Sequence, residues 1–332
     1  MSTSILPTIQ SCINSYGYPT ALILGNLGNL LIVILFSRHR QNACSIYLIC
    51  STVANDLYLT FNSLVQIYPF SYADESTRAY ALCKIRFYVS NVLGQIAKTI
   101  IILTCIDRYM FTSQHATFRA FSTSKRAKWF ILVTILSWPL LASHIAIMTT
   151  LSNRQCGTFG IYSLIYTSYT IVFVGFLPPL ILSVVGYLTY HNMKQTYNRV
   201  QPGLTNHNQT NLVIRRRDRE LLIIVVSEVF VYAISTTFYP LILTEMTISR
   251  YVIANKSVQY SQVESLIFTI SFMLLFVNNA APFYIYTIVS KSFRRDIKQL
   301  FINSARGLIG KPITQPAARR TDATHSRREY HV

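Results

Sequence analysis

Seven long apolar stretches dominate this sequence and limit the folds that it can adopt. They cover residues 18–37, 45–69, 81–110, 128–148, 161–190, 221–245 and 263–289. Each is near or above the ~20 residues that a helix needs to cross the hydrocarbon core of a bilayer. Because the bilayer offers no water to backbone polar groups, a spanning segment must satisfy them internally, as a helix does. The sequence therefore predicts an all-α membrane protein, a bundle of seven transmembrane helices.

The composition supports a membrane protein and argues against a soluble enzyme. Apolar and aromatic residues make up 51% of the chain and charged residues 13%, whereas soluble domains usually carry about 25% charged residues. The sequence shows no His, Cys, Asp and Glu cluster at metal-ligand spacing, no nucleophile motif and no Gly-rich phosphate loop. It also shows no inverted repeat with interrupted helices, which transporters usually have. We therefore expect no catalytic activity, metal or cofactor, and a transporter is the less favoured alternative.

The net charge of +18 is distributed unevenly between the loops, and this predicts an orientation. The loops on one side of the expected membrane carry few basic residues: Arg78, Arg154, Arg250 and Lys256, with Lys84 and Arg86 at the start of the third stretch. The loops on the other side carry many more. Lys and Arg accumulate in cytoplasmic loops, so we expect the amino end outside and the carboxyl end in the cytoplasm, at the plasma membrane. The basic loops then face anionic lipid, and nucleic acid is not an expected partner. The basic set comprises Arg38, Arg40, Arg119, Lys125, Arg126, Lys128, Lys194, Arg199, Arg215, Arg216, Arg217, Arg219, Lys291, Arg294, Arg295, Lys298, Arg306, Lys311, Arg319, Arg320, Arg327 and Arg328.

The third stretch begins at Cys83 and ends in the triplet Asp107-Arg108-Tyr109. A cysteine 25 positions before the arginine of such a triplet resembles the third helix of rhodopsin-like G protein-coupled receptors. The resemblance covers about residues 20–302 and implies a receptor that binds an extracellular ligand and activates a heterotrimeric G protein. For the fourth helix, either Trp129 or Trp138 matches the tryptophan of the family. The other matching residues are Gly28, Asn29, Asp56, Pro179, Tyr187, Pro240 and Tyr286.

The cysteines divide by their position relative to the expected membrane. Cys83 and Cys156 both fall on the outer side, where disulfides persist, and the resemblance implies that they are bonded. Cys12 is expected to be a free thiol. The remaining three, Cys44, Cys50 and Cys105, are expected to be small buried apolar residues.

The resemblance also implies roles for residues near the cytoplasmic ends of the helices. Asp107, Arg108 and Tyr109, with Tyr187 and Tyr286, are expected to couple the receptor to the G protein. Glu220, at the start of the sixth stretch, stands where many members carry an acid that holds the arginine in the inactive state. The alternative for Glu220 is a solvated side chain beside its arginine neighbours.

A polar core within the membrane is expected from Asn29, Asp56, Lys98, Asn278 and Asn279. Lys98 is not part of the family pattern, and an ammonium in a bilayer needs a partner. Asp56 and Glu228 lie at a similar depth. We hypothesise that Lys98 substitutes for the sodium ion that many members hold beside the equivalent of Asp56.

Four residues are expected to act as pivots during activation: Pro179, Phe238, Pro240 and Pro282. Phe238 stands where the family usually has tryptophan, and Pro282-Phe283 stands where it usually has Asn-Pro. These departures keep open the alternative of a non-signalling or decoy receptor.

The residues expected at the ligand site disfavour two ligand classes. Ser90 stands where amine receptors have aspartate, and Phe276 stands where opsins have the retinal lysine. A small peptide or a lipid remains, and the seventh helix resembles that of invertebrate neuropeptide-type receptors, which favours a peptide. The expected pocket consists of Ser90, Asn91, Gly94, Gln95, Phe238, Leu241 and Phe276.

We divide the chain into three parts. Residues 1–17 form an extracellular tail, 18–302 the receptor domain, and 303–332 a disordered cytoplasmic tail rich in Arg, Thr and Ser. Within the receptor domain, residues 291–301 are expected to form an amphipathic eighth helix on the membrane surface.

Overall fold

The structure, a computed structural model, describes residues 5–38, 42–67, 77–152, 155–199, 208–253 and 255–308. Within these ranges, seven helical segments are long and apolar enough to cross a membrane. They are span 1 (Ile5–Ser37), span 2 (Ala43–Ile67), span 3 (Ala79–Thr112), span 4 (Ser124–Met148), span 5 (Ile161–Asn192), span 6 (Val226–Val252) and span 7 (Val258–Ala280). The predicted seven-helix bundle is therefore confirmed.

The helices extend beyond several of these spans. In chain order they are Ile5–Cys12, Tyr18–Ser37, Ala43–Ile67, Thr77–Thr112, Ala116–Arg119, Ser124–Leu141, Ser143–Met148, Ile161–Thr170, Leu177–Arg199, Asn208–Val252, Val258–Ala280, Pro282–Val289 and Lys291–Leu308, with π-helical turns at Ile13–Gly17 and Ile171–Phe176.

Span 3 lies at the centre of the bundle. It packs against spans 2, 4 and 5, and its residues Val92, Ile96 and Ile100 are buried in the largest apolar cluster. Small residues allow neighbouring helices to approach closely. In a bilayer the hydrophobic effect does not drive helices together, so their association depends on close packing. A side chain on Gly28 would come within 2.8 Å of Phe283 Cβ, so this glycine permits the contact between span 1 and helix Pro282–Val289.

Prolines lie inside spans 4 and 6 and near the start of helix Leu177–Arg199, where a neighbouring side chain satisfies a freed backbone group. Pro178 has no N–H for the carbonyl of Val174, four residues earlier. That carbonyl accepts a hydrogen bond from the Tyr232 hydroxyl of span 6 at 3.0 Å instead. Pro240 of span 6 fits against Gly175, where a Cβ would lie 2.9 Å from the proline ring. Spans 5 and 6 are thus interlocked at the π-helical turn.

The predicted boundaries need correction at both ends of the receptor domain. The predicted tail, residues 1–17, is helical from Ile5, because this segment packs on span 7, where Gln10 Nε2 donates to Ser265 Oγ at 3.1 Å. At the other end, the eighth helix runs from Lys291 to Leu308, beyond the predicted limit of 302. Span 7 breaks at Ala281, before Pro282, which begins a new helix. Residues 309–332 lie outside the described residues.

A two-stranded hairpin covers the Cys83 end of the bundle. Strand β1 (Thr150–Ser152) pairs antiparallel with β2 (Gln155–Gly157), with Leu151 opposite Cys156. A disulfide joins Cys83 to Cys156, with a Cα–Cα distance of 5.6 Å. It ties the hairpin to span 3. The other described cysteines form no disulfide: Cys12 is exposed, Cys50 is half-buried, and Cys44 and Cys105 are buried.

Candidate functional site

A cavity of about 110 Å³ opens between the spans in the Cys83 half of the bundle. We call it the central cavity. Four residues of the predicted pocket line it from span 3, namely Ser90, Asn91, Gly94 and Gln95. Its other lining residues are Tyr58, Asn62, Gln66, Arg86, Phe87, Lys98, Tyr166, Thr170, Val174, Tyr239, Phe268, Phe272 and Leu275.

Hydrogen bonds hold several of the polar side chains of the central cavity. The Ser90 hydroxyl lies 2.6 Å from Asn62 Oδ1 and 2.6 Å from the Arg86 carbonyl oxygen, and it can donate to either. The Tyr169 hydroxyl donates to Asn91 Oδ1 at 3.0 Å. Gln95 is only 2% exposed, has Tyr169 as a polar neighbour, and its Nε2 atom has no hydrogen-bond partner within the described part of the chain.

Aromatic rings form the opposite wall of the central cavity. The Tyr239 ring of span 6 lies 5.9 Å from the Phe268 ring and 6.1 Å from the Phe272 ring of span 7, measured between centroids. Such contacts add to the stability of a packed interface. The central cavity therefore has an amide-rich wall on spans 2 and 3 and an aromatic wall on spans 6 and 7.

Three predicted pocket residues do not line the central cavity, which corrects the sequence interpretation. Phe238 is 51% exposed and Leu241 is 61% exposed. They fall with Ile234 on the outer face of span 6, because residues spaced by three and four share one face of a helix. Tyr239 is the inward aromatic residue instead, so Phe238 is not an internal pivot. Phe276 is fully buried and packs on Tyr18, 4.7 Å between centroids, as part of the core.

The predicted partners of Lys98 also require correction. Its Nζ atom lies 5.9 Å from the centroid of the Tyr232 ring, and no ion pair joins it to Asp56 or Glu228. Lys98 lines the central cavity, whereas the Asp56 carboxyl has Asn29 as its polar neighbour. The two residues share a depth but face different directions. An ammonium that replaces the sodium ion beside Asp56 therefore has no support in this geometry.

The remaining predicted polar residues connect spans 1, 6 and 7. Asn29 Nδ2 donates to the Asn279 carbonyl at 3.2 Å, and Asn279 Nδ2 donates to the Leu275 carbonyl at 2.6 Å. Asn278 is half-buried. Tyr286 is 1% exposed, and its hydroxyl donates to Glu228 Oε2 at 2.9 Å. Sequence reasoning considered Glu228 only as a partner of Lys98 and missed this contact.

The triplet at the other end of span 3 forms a buried ionic contact. Arg108 and Asp107 are 2% and 3% exposed, and Arg108 Nη2 donates to Asp107 Oδ2 at 2.8 Å. Arg108 also donates to Asn42 Oδ1 at 3.3 Å. The Ser122 hydroxyl donates to Asp107 Oδ1 at 2.6 Å. Ser122 was not predicted, since it lies in a loop with no periodic sequence pattern.

The other predicted coupling residues lie around this contact. Tyr187 is 67% exposed and lines a second cavity of about 370 Å³ between spans 3, 5 and 6, which also includes Arg108. We call it the side cavity. Tyr109 is half-buried. The backbone of Glu220 lies in helix Asn208–Val252, but its side chain is outside the described residues.

A cavity at one end of the central helix, a buried acid–arginine contact at the other and a disulfide-linked hairpin define a seven-helix membrane receptor. A family profile described as 7 transmembrane receptor (rhodopsin family) matches residues 28–286. The chain therefore belongs to the rhodopsin family of G protein-coupled receptors, a family of receptors rather than enzymes. No curated protein sequence matches the chain.

Proposed function

We propose that this protein is a plasma-membrane receptor that binds an extracellular ligand in the central cavity and activates a heterotrimeric G protein at the opposite end of the bundle. The observation that supports this most directly is that span 3 lines the central cavity at Ser90 and the side cavity at Arg108. Eighteen residues separate these positions, which is about 27 Å along a helix. One rigid element therefore connects the two sites.

Spans 5 and 6 provide the route by which a ligand can act on the far end. Tyr166 and Thr170 of span 5 and Tyr239 of span 6 line the central cavity, and the Tyr232–Val174 hydrogen bond couples the two spans one to two turns below. A ligand can shift the equilibrium between two arrangements only by binding one of them more tightly. A ligand that contacts both spans can do so by changing their relative position.

At the cytoplasmic end, activation requires rearrangement around Arg108. Asp107 holds its guanidinium, and Ser122 orients Asp107. We expect Glu220 to restrain Arg108 further in the inactive state. Movement of the end of span 6 away from span 3 then opens the surface that a G protein binds, as in other helix rearrangements at functional interfaces.

The ligand that we favour is a small peptide. Asn62, Gln66 and Asn91 line the central cavity, and amide side chains both donate and accept hydrogen bonds, as peptide backbone groups do. The aromatic wall then accommodates apolar side chains. The alternative of a non-signalling receptor retains the same cavity but lacks coupling.

Nucleotide exchange on purified G proteins tests this function. The receptor in lipid nanodiscs is combined with a panel of G proteins and a library of small peptides, and GTP uptake is measured. We expect at least one peptide to accelerate exchange, Arg108→Ala to abolish that acceleration, and Arg250→Ala, which removes a cation at the other end, to retain it. Peptide binding without exchange on any G protein would favour the non-signalling receptor.

A further inference from the structure

Two cations line the central cavity, and no carboxylate of the described residues shares its wall with them. Arg86 and Lys98 both contribute to its wall, and none of its lining residues is Asp or Glu. The ion pairs among the described residues do not include either cation. The Lys98 ammonium lies over the face of the Tyr232 ring, 5.9 Å from its centroid.

Among the described residues, two acids in this half of the bundle, Glu264 and Glu245, are engaged with other side chains. Glu264 accepts two hydrogen bonds from Lys256 Nζ, at 2.7 Å and 2.9 Å. Glu245 accepts one from the Tyr260 hydroxyl. A buried charge is costly unless it is paired, so the electrostatics of the central cavity favour an anionic occupant.

The deep end of the cavity offers hydrogen-bond donors that suit a carboxylate. Gln95 and Lys98 are three residues apart on span 3 and lie on one face of the helix. Both line the cavity, and the Gln95 Nε2 atom lacks an acceptor among the described residues. An ammonium has three N–H donors and no acceptor. Together these groups can donate to both oxygens of one carboxylate.

The shape of the cavity indicates what the carboxylate is attached to. Tyr58, Phe268, Phe272 and Leu275 surround the cavity with apolar surface. Arg86 lies twelve residues before Lys98, about 18 Å closer to the Cys83 end. An anion entering from that end meets Arg86 first and Lys98 last.

We propose that the ligand of the central cavity carries a carboxylate on an apolar or aromatic body, with the carboxylate bound at the deep end by Lys98 and Gln95. This inference rests on the proposed function in one respect: both place the ligand in the central cavity. It does not depend on coupling to a G protein. The carboxylate belongs either to the free terminus or side chain of a peptide or to a small lipid or aryl acid. Both sources place the same chemical group on the same donors.

Matched acid and amide probes test the proposal by binding alone, without a G protein. The thermal midpoint of the purified receptor in nanodiscs is measured with 4-phenylbutyrate, decanoate and acetyl-Phe-Leu, each against its neutral amide. We expect the acids to stabilise the receptor and the amides to bind at least about tenfold more weakly, as when one partner of an enclosed charged pair is removed. The peptide and non-peptide acids identify the source of the carboxylate.

Substitutions then assign the effect to the deep end. Lys98→Met should remove the preference for acids, and Lys98→Arg should restore it. Lys84→Met is the matched control, because Lys84 lies on the same helix but does not line the cavity. Equal stabilisation by acid and amide, an unchanged preference in Lys98→Met, or no stabilisation by any of the acids would overturn the proposal. A receptor that binds acids selectively but never activates a G protein would overturn the proposed function instead.

Discussion

Glu228 shows how one side chain can couple two helices within the bilayer. It is 5% exposed, and the hydroxyl of Tyr286 donates to it across the interface between span 6 and helix Pro282–Val289. Both groups are enclosed, so leaving either without its partner costs about 1–3 kcal/mol. The bond therefore favours the arrangement of the two helices in which it forms. We infer that it opposes outward movement of span 6.

Removing only the hydroxyl tests this inference. The bond favours the inactive arrangement, in which span 6 has not moved outward. If it does so by about 1.4 kcal/mol, we expect Tyr286→Phe to raise basal nucleotide exchange roughly tenfold. Glu228→Gln keeps an acceptor and should change basal exchange less. Tyr284→Phe is the control, since that tyrosine is exposed and its hydroxyl donates to the Leu24 carbonyl. Basal exchange in Tyr286→Phe equal to that of the parent at equal surface expression would contradict the idea.

Single residues also show where sequence reasoning reaches its limit. The contact between Asp107 and Arg108 was predictable because the two residues are adjacent in a short motif. The partner of Lys98 was not, because spacing along a helix gives depth but not the direction in which helices of a bundle face each other. Ser122 reaches Asp107 from a loop, and no periodic pattern places a loop.

At the scale of elements, span 6 was predicted in the right place but with the wrong side inward. Pro240 was expected to be a pivot of this helix, and in the structure it is buried against span 5. Phe238 was predicted to be an inward pivot because the family usually has a tryptophan at this position, two residues before the proline. The buried positions of this helix include Tyr232, Thr236 and Ile242, and Tyr239 lines the central cavity on the same side. The spacing of residues by three and four along the helix would therefore have been the better guide.

This register gives a prediction that compares two adjacent aromatic residues. Tyr239→Ala should weaken ligand binding by about tenfold or more, because Tyr239 contributes to the aromatic wall of the central cavity. Phe238→Ala should change stability by no more than about 0.5 kcal/mol, as is usual for surface positions. Ligand affinity and the thermal midpoint of both variants decide the matter. A larger loss of affinity or stability in Phe238→Ala than in Tyr239→Ala would mean that Phe238 faces inward, as the family pattern predicts.

The hairpin Thr150–Gly157 depends on the disulfide for its position over the central cavity. The bridge closes a loop of 73 residues, and native disulfides typically contribute about 2–5 kcal/mol. We expect Cys156→Ser to lower the thermal midpoint and the surface expression of the receptor. Cys12→Ser, which removes a free thiol, should change neither. Parent-like expression and stability of Cys156→Ser would show that the hairpin is held by its other contacts.

At the scale of the whole molecule, the fold was predictable because the bilayer imposes one length and one kind of secondary structure on each crossing. Seven apolar stretches therefore correspond to seven spans. The ends of span 1 were less predictable. Ile5 to Gly17 carries polar residues that a hydropathy pattern assigns to a tail, and tertiary contacts with span 7, such as that of Gln10, accompany its helical form.

The length of span 1 supplies a prediction about orientation. It contains 33 residues, about 50 Å of helix, whereas the hydrocarbon core is about 30 Å thick. Arg38 follows its last residue and is expected at the cytoplasmic surface. Cys12 lies 25 residues before Ser37, about 37 Å away along the helix. It should therefore protrude beyond the core on the extracellular side.

Labelling intact cells with a membrane-impermeant maleimide tests this orientation. We expect the parent receptor to be labelled at Cys12, which is an exposed free thiol, and Cys12→Ser to lose the label. A second variant carries Lys298→Cys in the Cys12→Ser background, which places a thiol on the exposed side of the eighth helix. That variant should react only after the cells are permeabilised. Labelling of the Lys298→Cys variant in intact cells, together with no labelling of Cys12 in the parent receptor, would reverse the orientation and with it the assignment of the central cavity to the extracellular side.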